Sequence, residues 1–411
     1  MTEVEIPSWI QQSLFEDLLK EEFVDYFKIT KFHPSFACAV GENFASVMIR
    51  VEIDFELKDG SKKKVSFMIK TTPEKGTVSY NNIENLQLFQ KEIEIYKEII
   101  PKFEKLYLDK GKEVKFAPKT YDFKTDSGFR YLLLEDLKVL DFKIIQKENL
   151  FDLEQCKLIL KLMAKFHAAS AVHFETNGPY SETMNVGLFD EKLLEGFIGF
   201  NEGMYEVMKE VMIEKYENGE YYANKYFVDE KNHIKELFEF GQVKEDQFNV
   251  LNHGDLWCNN IMFNYNSKGK AEKCIFIDYQ APKYGPPAQD LYYFIISSVK
   301  NDIKIKNFDF FIKYYHDHLS ANLKLLEYSK PIPSLSDIHS ILLKSHAAAK
   351  RPVTIIMGSV LLPSSDQSKI ENYFNRDEEA TNFKRTLYSN PKCIEAMNEV
   401  LPWLDNRGML K

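Results

Sequence analysis

The stretch VLNHGDLWCNNIMF sets polar groups with catalytic chemistry between two apolar runs. Asp255 stands on the flank of Val250 and Leu251, and Asn260 follows five residues on, directly before Ile261, Met262 and Phe263. Phosphoryl transfer from a nucleoside triphosphate needs an aligned acceptor hydroxyl and a neutralised phosphate charge. Asp255 has the chemistry to accept the hydroxyl proton. Asn260 has an amide oxygen able to hold magnesium as the loop turns back into a strand. A second carboxylate must share the metal, and CIFIDYQ places Asp278 at the end of an apolar strand. There it would present a hard oxygen ligand suited to magnesium. The interval from Asn260 to Asp278 suits one hairpin returning to the same spot.

The aspartate-to-asparagine spacing is that of the kinase catalytic loop, H-R-D-x-x-x-x-N. Kinase chemistry also calls for a lysine on the third strand and a glutamate on the following helix. Lys70 ends the third-strand candidate within KKKVSFMIKTTP, on the face opposite Val65, Phe67 and Ile69. Glu92 lies at the edge of the apolar stripe of IENLQLFQKEIEIYKEII, formed by Leu86, Phe89, Ile93, Tyr96 and Ile100, with Pro101 as the expected stop. A carboxylate beside a buried stripe needs a partner, and Lys70 is the obvious one. The phosphate-covering loop is expected in AVGENFASVMIRV, which holds only Gly41 in place of a full glycine-rich motif. Backbone amides from Glu42 to Ser46, Asn43 among them, are suited to cradle phosphate.

These groups need a scaffold. The run SVMIRVEIDFEL alternates apolar and polar residues with period two, which is the pattern of a half-buried strand. Asp59-Gly60 follows as a hairpin turn. The strand-like runs KFAPKTYDF and FRYLLLEDL come after the helix, and helical patterns dominate from Asp152 onward. NIMF and CIFIDY read as a second hairpin. The βα alternation does not recur, so the expected class is α+β: an antiparallel sheet lobe over residues 1–137 and a larger helical lobe over 138–411.

Bulk properties agree. The 411 residues exceed what one core usually serves. A net charge of −9 argues against a nucleic-acid surface. Five scattered cysteines, Cys38, Cys156, Cys258, Cys274 and Cys393, lack zinc spacing and suggest a reduced, cytoplasmic setting. No apolar run approaches the roughly 20 residues of a membrane helix.

Taken singly, each candidate has a plain structural use. An aspartate ahead of an asparagine is commonly a turn, and Lys70, Glu92 and Asp278 are ordinary surface or capping residues. Their order along the chain is what lifts the set. His253 is expected to bond backbone and His167 to be a satisfied core histidine. Asp290, in PPAQDLYYF, either caps its helix or makes a buried bond to the catalytic loop. Trp257 is a packing anchor or part of the acceptor site.

Together HGDLWCNNIMF, IDYQ, PAQDLYYF, GENFASVMIRV, FQKEIEIYKEIIP, LLLEDL and KFHAAS resemble the ecdysteroid kinase-like family of insects, in the choline kinase and aminoglycoside phosphotransferase group. The resemblance implies a two-lobed protein-kinase-like fold and ATP- and Mg2+-dependent phosphorylation of a small-molecule hydroxyl, with ecdysteroids as the named substrates. It makes Asp255 the base, Asn260 and Asp278 the magnesium ligands, and Lys70, paired with Glu92, the phosphate contact. Glu135, Asp136 and Leu137 become the hinge whose backbone meets adenine. Gly254 replaces the arginine of H-R-D, and Asp278 is followed by Tyr-Gln, which favours a small-molecule acceptor over a peptide. Hormone inactivation competes with detoxification as its use. Aromatics and methionines between His173 and the catalytic loop (Phe189, Phe197, Phe200, Met204, Tyr205, Met208, Met212, Tyr216, Tyr221, Tyr222) suit either a flat apolar acceptor or a helical core. A catalytically silent binding protein is the alternative. The oligomeric state is not encoded legibly.

Overall fold

The computed structural model describes residues 5–37, 46–72, 84–123, 130–187, 194–228, 235–236, 238–240, 242–244, 246–363 and 371–410. The chain forms two compact units, Met1–Lys97 with Ala117–Lys143, and Glu98–Phe116 with Ile144–Lys411.

The first unit is built on a five-stranded antiparallel sheet. Its strands are β1 (Tyr26–Phe36), β2 (Val47–Leu57), β3 (Lys62–Thr71), β4 (Thr120–Tyr121) and β5 (Tyr131–Glu135), in the order β1-β2-β3-β5-β4. The period-two run becomes β2, and Ile49, Val51, Ile53 and Phe55 are fully buried. They pack with Phe67, Ile69, Leu133 and, from helix α1 (Ser13–Glu22), Phe15 and Leu19. Gly60, at φ +82°, turns the chain from β2 into β3. Register pairs Met48 with Lys70 and Lys70 with Leu132, so Lys70 lies in mid-sheet between two strands. β1 carries no clean alternation because it is an edge strand, exposed over much of its length. Pro34, which has no N–H to donate, is tolerated there.

The helix after β3 runs differently from expectation. α2 (Leu88–Glu94) passes through a π-helical turn at Ile95–Ile99 into α3 (Ile100–Leu108). Pro101 does not stop it. Proline sits in the first turn of α3, directly after the π turn, where the regular hydrogen-bond ladder is already interrupted.

The short strand β6 (Phe142–Ile144) carries the chain from one unit to the next. The second unit is mainly helical. Asp152 and Gln155 form a capping box that starts the long helix α4 (Leu153–Asn177). α5 (Leu194–Lys215) and α6 (Gly219–Tyr226) follow. Two small strand pairs interrupt the helices: β7 (Val250–Asn252) with β10 (Lys283–Gly285), and the expected hairpin of β8 (Ile261–Tyr265) and β9 (Ala271–Phe276). Helix α7 (Ala288–Ser298) comes next, with every residue buried. α8 (Phe308–Leu325), α9 (His346–Arg351), α10 (Glu378–Ser389) and α11 (Pro391–Asn406) are among the helices that follow. Met204, Tyr205, Met208, Met212 and Tyr216 are buried in it as helical core, whereas Tyr221 is half exposed. Phe189 and the side chains of Phe197 and Phe200 lie outside the described residues. Among the described residues no helix is long and apolar enough to cross a membrane. The described cysteines are free thiols; Cys38 lies outside the described residues.

Candidate active site

The loop after β7 is fixed before any catalytic group appears. Asn252 donates from Nδ2 to the carbonyls of Lys283 and Gly285, 3.1 and 3.3 Å away, tying β7 to β10. Gly254 then adopts φ +81°, and a Cβ there would stand 1.8 Å from the carbonyl oxygen of Ala281. Only glycine fits, which explains its place where protein kinases carry arginine. Asp290, in the first turn of α7, accepts the His253 N–H at 2.7 Å and the Gly254 N–H at 2.9 Å. Its Oδ2 also meets His167 Nε2 at 3.2 Å, and His167 Nδ1 lies 2.8 Å from the Tyr315 hydroxyl. Asp290 is therefore the buried brace of the loop, and His167 a satisfied core histidine. His253 bonds backbone as well, through Nε2 to the Ile277 carbonyl at 3.0 Å.

On this brace sits Asp255, half-buried. The Tyr293 hydroxyl donates to its Oδ1 at 2.6 Å, and Asn260 Nδ2 donates to its Oδ2 at 3.0 Å and to its backbone carbonyl at 2.8 Å. Burial pushes the Asp255 carboxyl up to about 6; the Tyr293 bond and the charge of Arg351 oppose that rise, and the negative charge of Asp278 adds to it. Asn260 is placed by a short 3-10 turn, Cys258–Asn260, whose first N–H bonds Ser298 Oγ of α7 at 3.0 Å. Its carbonyl accepts the Ile277 N–H at 3.0 Å, drawing the end of the β9 segment alongside. Asp278, two residues beyond β9, holds φ +66°, a left-handed conformation rare outside glycine and often found where function demands strain.

Asp255, Asn260 and Asp278 thus come together in the second unit. The donor set fits magnesium. The amide oxygen of Asn260 takes no hydrogen bond among the described residues, and the two acids are hard oxygen donors. Among the described residues no group of three or more His, Cys, Asp or Glu is arranged to hold a metal ion. Magnesium needs none, since it binds through one or two carboxylates and fills its octahedron with water and phosphate oxygens.

In the first unit Lys70 Nζ lies 2.7 Å from the Glu92 carboxylate, and both side chains are almost fully buried. Ser46 is buried at the start of β2, while Gly41 and Asn43 lie outside the described residues. Glu135 closes β5, its Oε2 accepting the Lys119 N–H at 3.3 Å, and Leu137 is buried in the following 3-10 turn. Between them Asp136 accepts from Arg50 Nε and Ser66 Oγ, each at 2.7 Å, and caps that turn through the Lys138 N–H. The segment is held by a buried ionic clasp that the sequence did not announce.

Tyr293 and Arg351 were also missed. Tyr293 had a signal: it lies three residues after Asp290 on one helix and so shares its face. Arg351 had none, because only the fold brings α9 to α7; its guanidinium carbon lies 5.2 Å from the Tyr293 ring centre. A cavity of about 610 Å3 in the second unit is lined by Glu236, Phe248, Tyr328, Ile341 and His346 among others, and by none of the three candidate groups.

An antiparallel sheet with a buried lysine–glutamate pair, and a helical unit with a braced D-x4-N loop, define the protein-kinase-like α+β class with a sheet lobe and a helical lobe. Within it, the model of the ecdysteroid kinase-like family matches residues 40–328, more than half of the chain, and the chain belongs to that family. A comparison with curated proteins gave no match.

Proposed function

We propose that the protein is an ATP- and Mg2+-dependent O-phosphotransferase. It acts on a hydroxyl of a small apolar molecule, an ecdysteroid or a related steroid or xenobiotic. Residues 1–137 bind the nucleotide in this reading, and 138–411 hold the catalytic loop and the acceptor. Membership of a kinase-like family supports ATP use. The observation that carries the reading is the joining of Asp255, Asn260 and Asp278 on one braced loop and hairpin.

Asp255 takes the proton of the acceptor hydroxyl as that oxygen bonds to the γ-phosphorus of ATP, and the bond from this phosphorus to the bridging oxygen breaks to release ADP. A carboxyl raised to about 6 is still ionised at neutral pH and is a stronger base than an exposed aspartate. Asn260 Oδ1 and the Asp278 carboxylate would hold magnesium, which supplies charge neutralisation for the phosphates. Lys70, oriented by Glu92, contacts phosphate oxygens. Backbone amides of Gly41, Asn43 and Ser46 are assigned to the phosphates, and the backbone of Glu135 and Leu137 would meet the adenine.

The test is Asp255→Asn. Incubation with ATP and a metabolite extract, followed by a mass search for products heavier by one phosphate, gives the parent's acceptor. The variant is expected to lose turnover by at least on the order of a hundredfold while calorimetry shows MgATP binding retained. Equal turnover in the variant removes Asp255 from the role. A parent that binds no MgATP at millimolar concentration is instead a silent carrier.

A further inference from the structure

Arg351 closes α9, and Pro352 opens a π-helical turn over Pro352–Ile356. A π turn leaves carbonyls without their regular donors, and such turns gather at functional sites. Here buried tyrosines add donors to the backbone around the turn. The Tyr226 hydroxyl of α6 donates to the Lys350 carbonyl at 3.0 Å and lies 2.7 Å from Thr354 Oγ1, and the Tyr388 hydroxyl of α10 donates to the Thr354 carbonyl at 2.6 Å. The Tyr388 carbonyl in turn accepts from the Tyr216 hydroxyl at 2.9 Å. The backbone on both sides of Arg351 is therefore fixed.

What this framework holds in place is a cation next to the candidate base. The guanidinium lies over the ring of Tyr293, whose hydroxyl is 2.6 Å from Asp255 Oδ1. Its positive charge acts on both the Asp255 carboxylate and the Tyr293 phenol. On that reading, a hydroxyl delivered to Asp255 would bring its neighbouring atoms within reach of this charge.

Resting on the phosphotransferase reading, the geometry points to Arg351 as a specificity-determining residue, one that selects acceptors whose reacting hydroxyl is flanked by a second oxygen function. That function is a vicinal hydroxyl or a carboxylate, and an ammonium at the same place is rejected. A planar guanidinium donates to such oxygens in a fixed fork and repels a cation. The acceptor wall is thus opposite in charge to one built for amines.

Three apolar acceptors on one steroid skeleton test this, carrying beside the reacting hydroxyl a hydroxyl, a carboxylate or an ammonium. Phosphate transfer is read by mass, and acceptor and MgATP binding by calorimetry, for the parent and for Arg351→Lys, Arg351→Gln and Arg351→Glu. The parent is expected to use the diol and the hydroxy acid at least about tenfold better than the amino alcohol in kcat/KM. Arg351→Lys keeps the order, Arg351→Gln flattens it and Arg351→Glu reverses it, with MgATP binding unchanged throughout. A parent that prefers the amino alcohol or treats the three alike overturns the assignment. So does a set of variants that slows all three acceptors equally, which marks a structural role. A parent that binds MgATP but neither binds nor phosphorylates any of the three also overturns it. A parent that binds no MgATP overturns the phosphotransferase reading and this inference with it.

Discussion

Asp290 illustrates how one buried carboxylate can decide the shape of a loop. Burial pushes its carboxyl up, but the His167 bond, the charges of His167 and His253 and the Gly254 N–H outweigh it, so the group sits below the ordinary aspartate value of 3.8. A folded-state pKa below the unfolded one adds stability that is present above the unfolded value and is lost as pH falls through the folded one. Asp290→Asn is therefore expected to lose roughly 1–3 kcal/mol at pH 7. Urea midpoints of parent and variant should converge below about pH 4. A gap that stays constant from pH 7 to pH 3 contradicts the ionised brace. Gly254 works at the same scale by another route: no side chain fits between it and the Ala281 carbonyl.

At the scale of elements, β3 and α2 are pinned by Lys70 and Glu92. A buried pair holds its place less by net stability than by the cost of leaving one member alone. Lys70→Ala removes the cation beside the Glu92 carboxylate, whose side chain is 1% exposed, and is expected to cost about 3–5 kcal/mol in denaturant unfolding. The double replacement Lys70→Met with Glu92→Leu is expected to recover most of that stability while abolishing turnover. If the single change costs no more than the double one, the pair is not a coupled buried ion pair. α7 shows the same logic in a helix buried all round: Asp290, Tyr293, Ser297 and Ser298 each find a hydrogen-bond partner, as buried polar groups must.

For the molecule as a whole, the described thiols report on its packing. Burial pushes the Cys258 and Cys393 thiols up to about 12, and Cys156 higher. Thiolate is the reacting form, so all three should resist a disulfide reagent at pH 8 in the native protein and react at once in denaturant. Fast labelling of any of the three in the folded chain, located by peptide mass, shows that its surroundings open.

Local rules sufficed wherever a feature depends on near neighbours. The alternation of β2, its turn at Gly60, the hairpin β8–β9 and the D-x4-N spacing are all short-range patterns. Each was legible because side-chain periodicity mirrors backbone geometry. β1 was not, since an edge strand needs no alternation, and Pro101 misled because a π turn moved the helix start to meet it. The loop around Gly41 and Asn43 remains an expectation. Tertiary structure alone decided which distant groups surround Asp255. Asp290 and Tyr293 arrive on α7 and Arg351 on α9. Electrostatics acts across space while sequence records only order, so the residues that tune the base could not be found until the chain had closed around it.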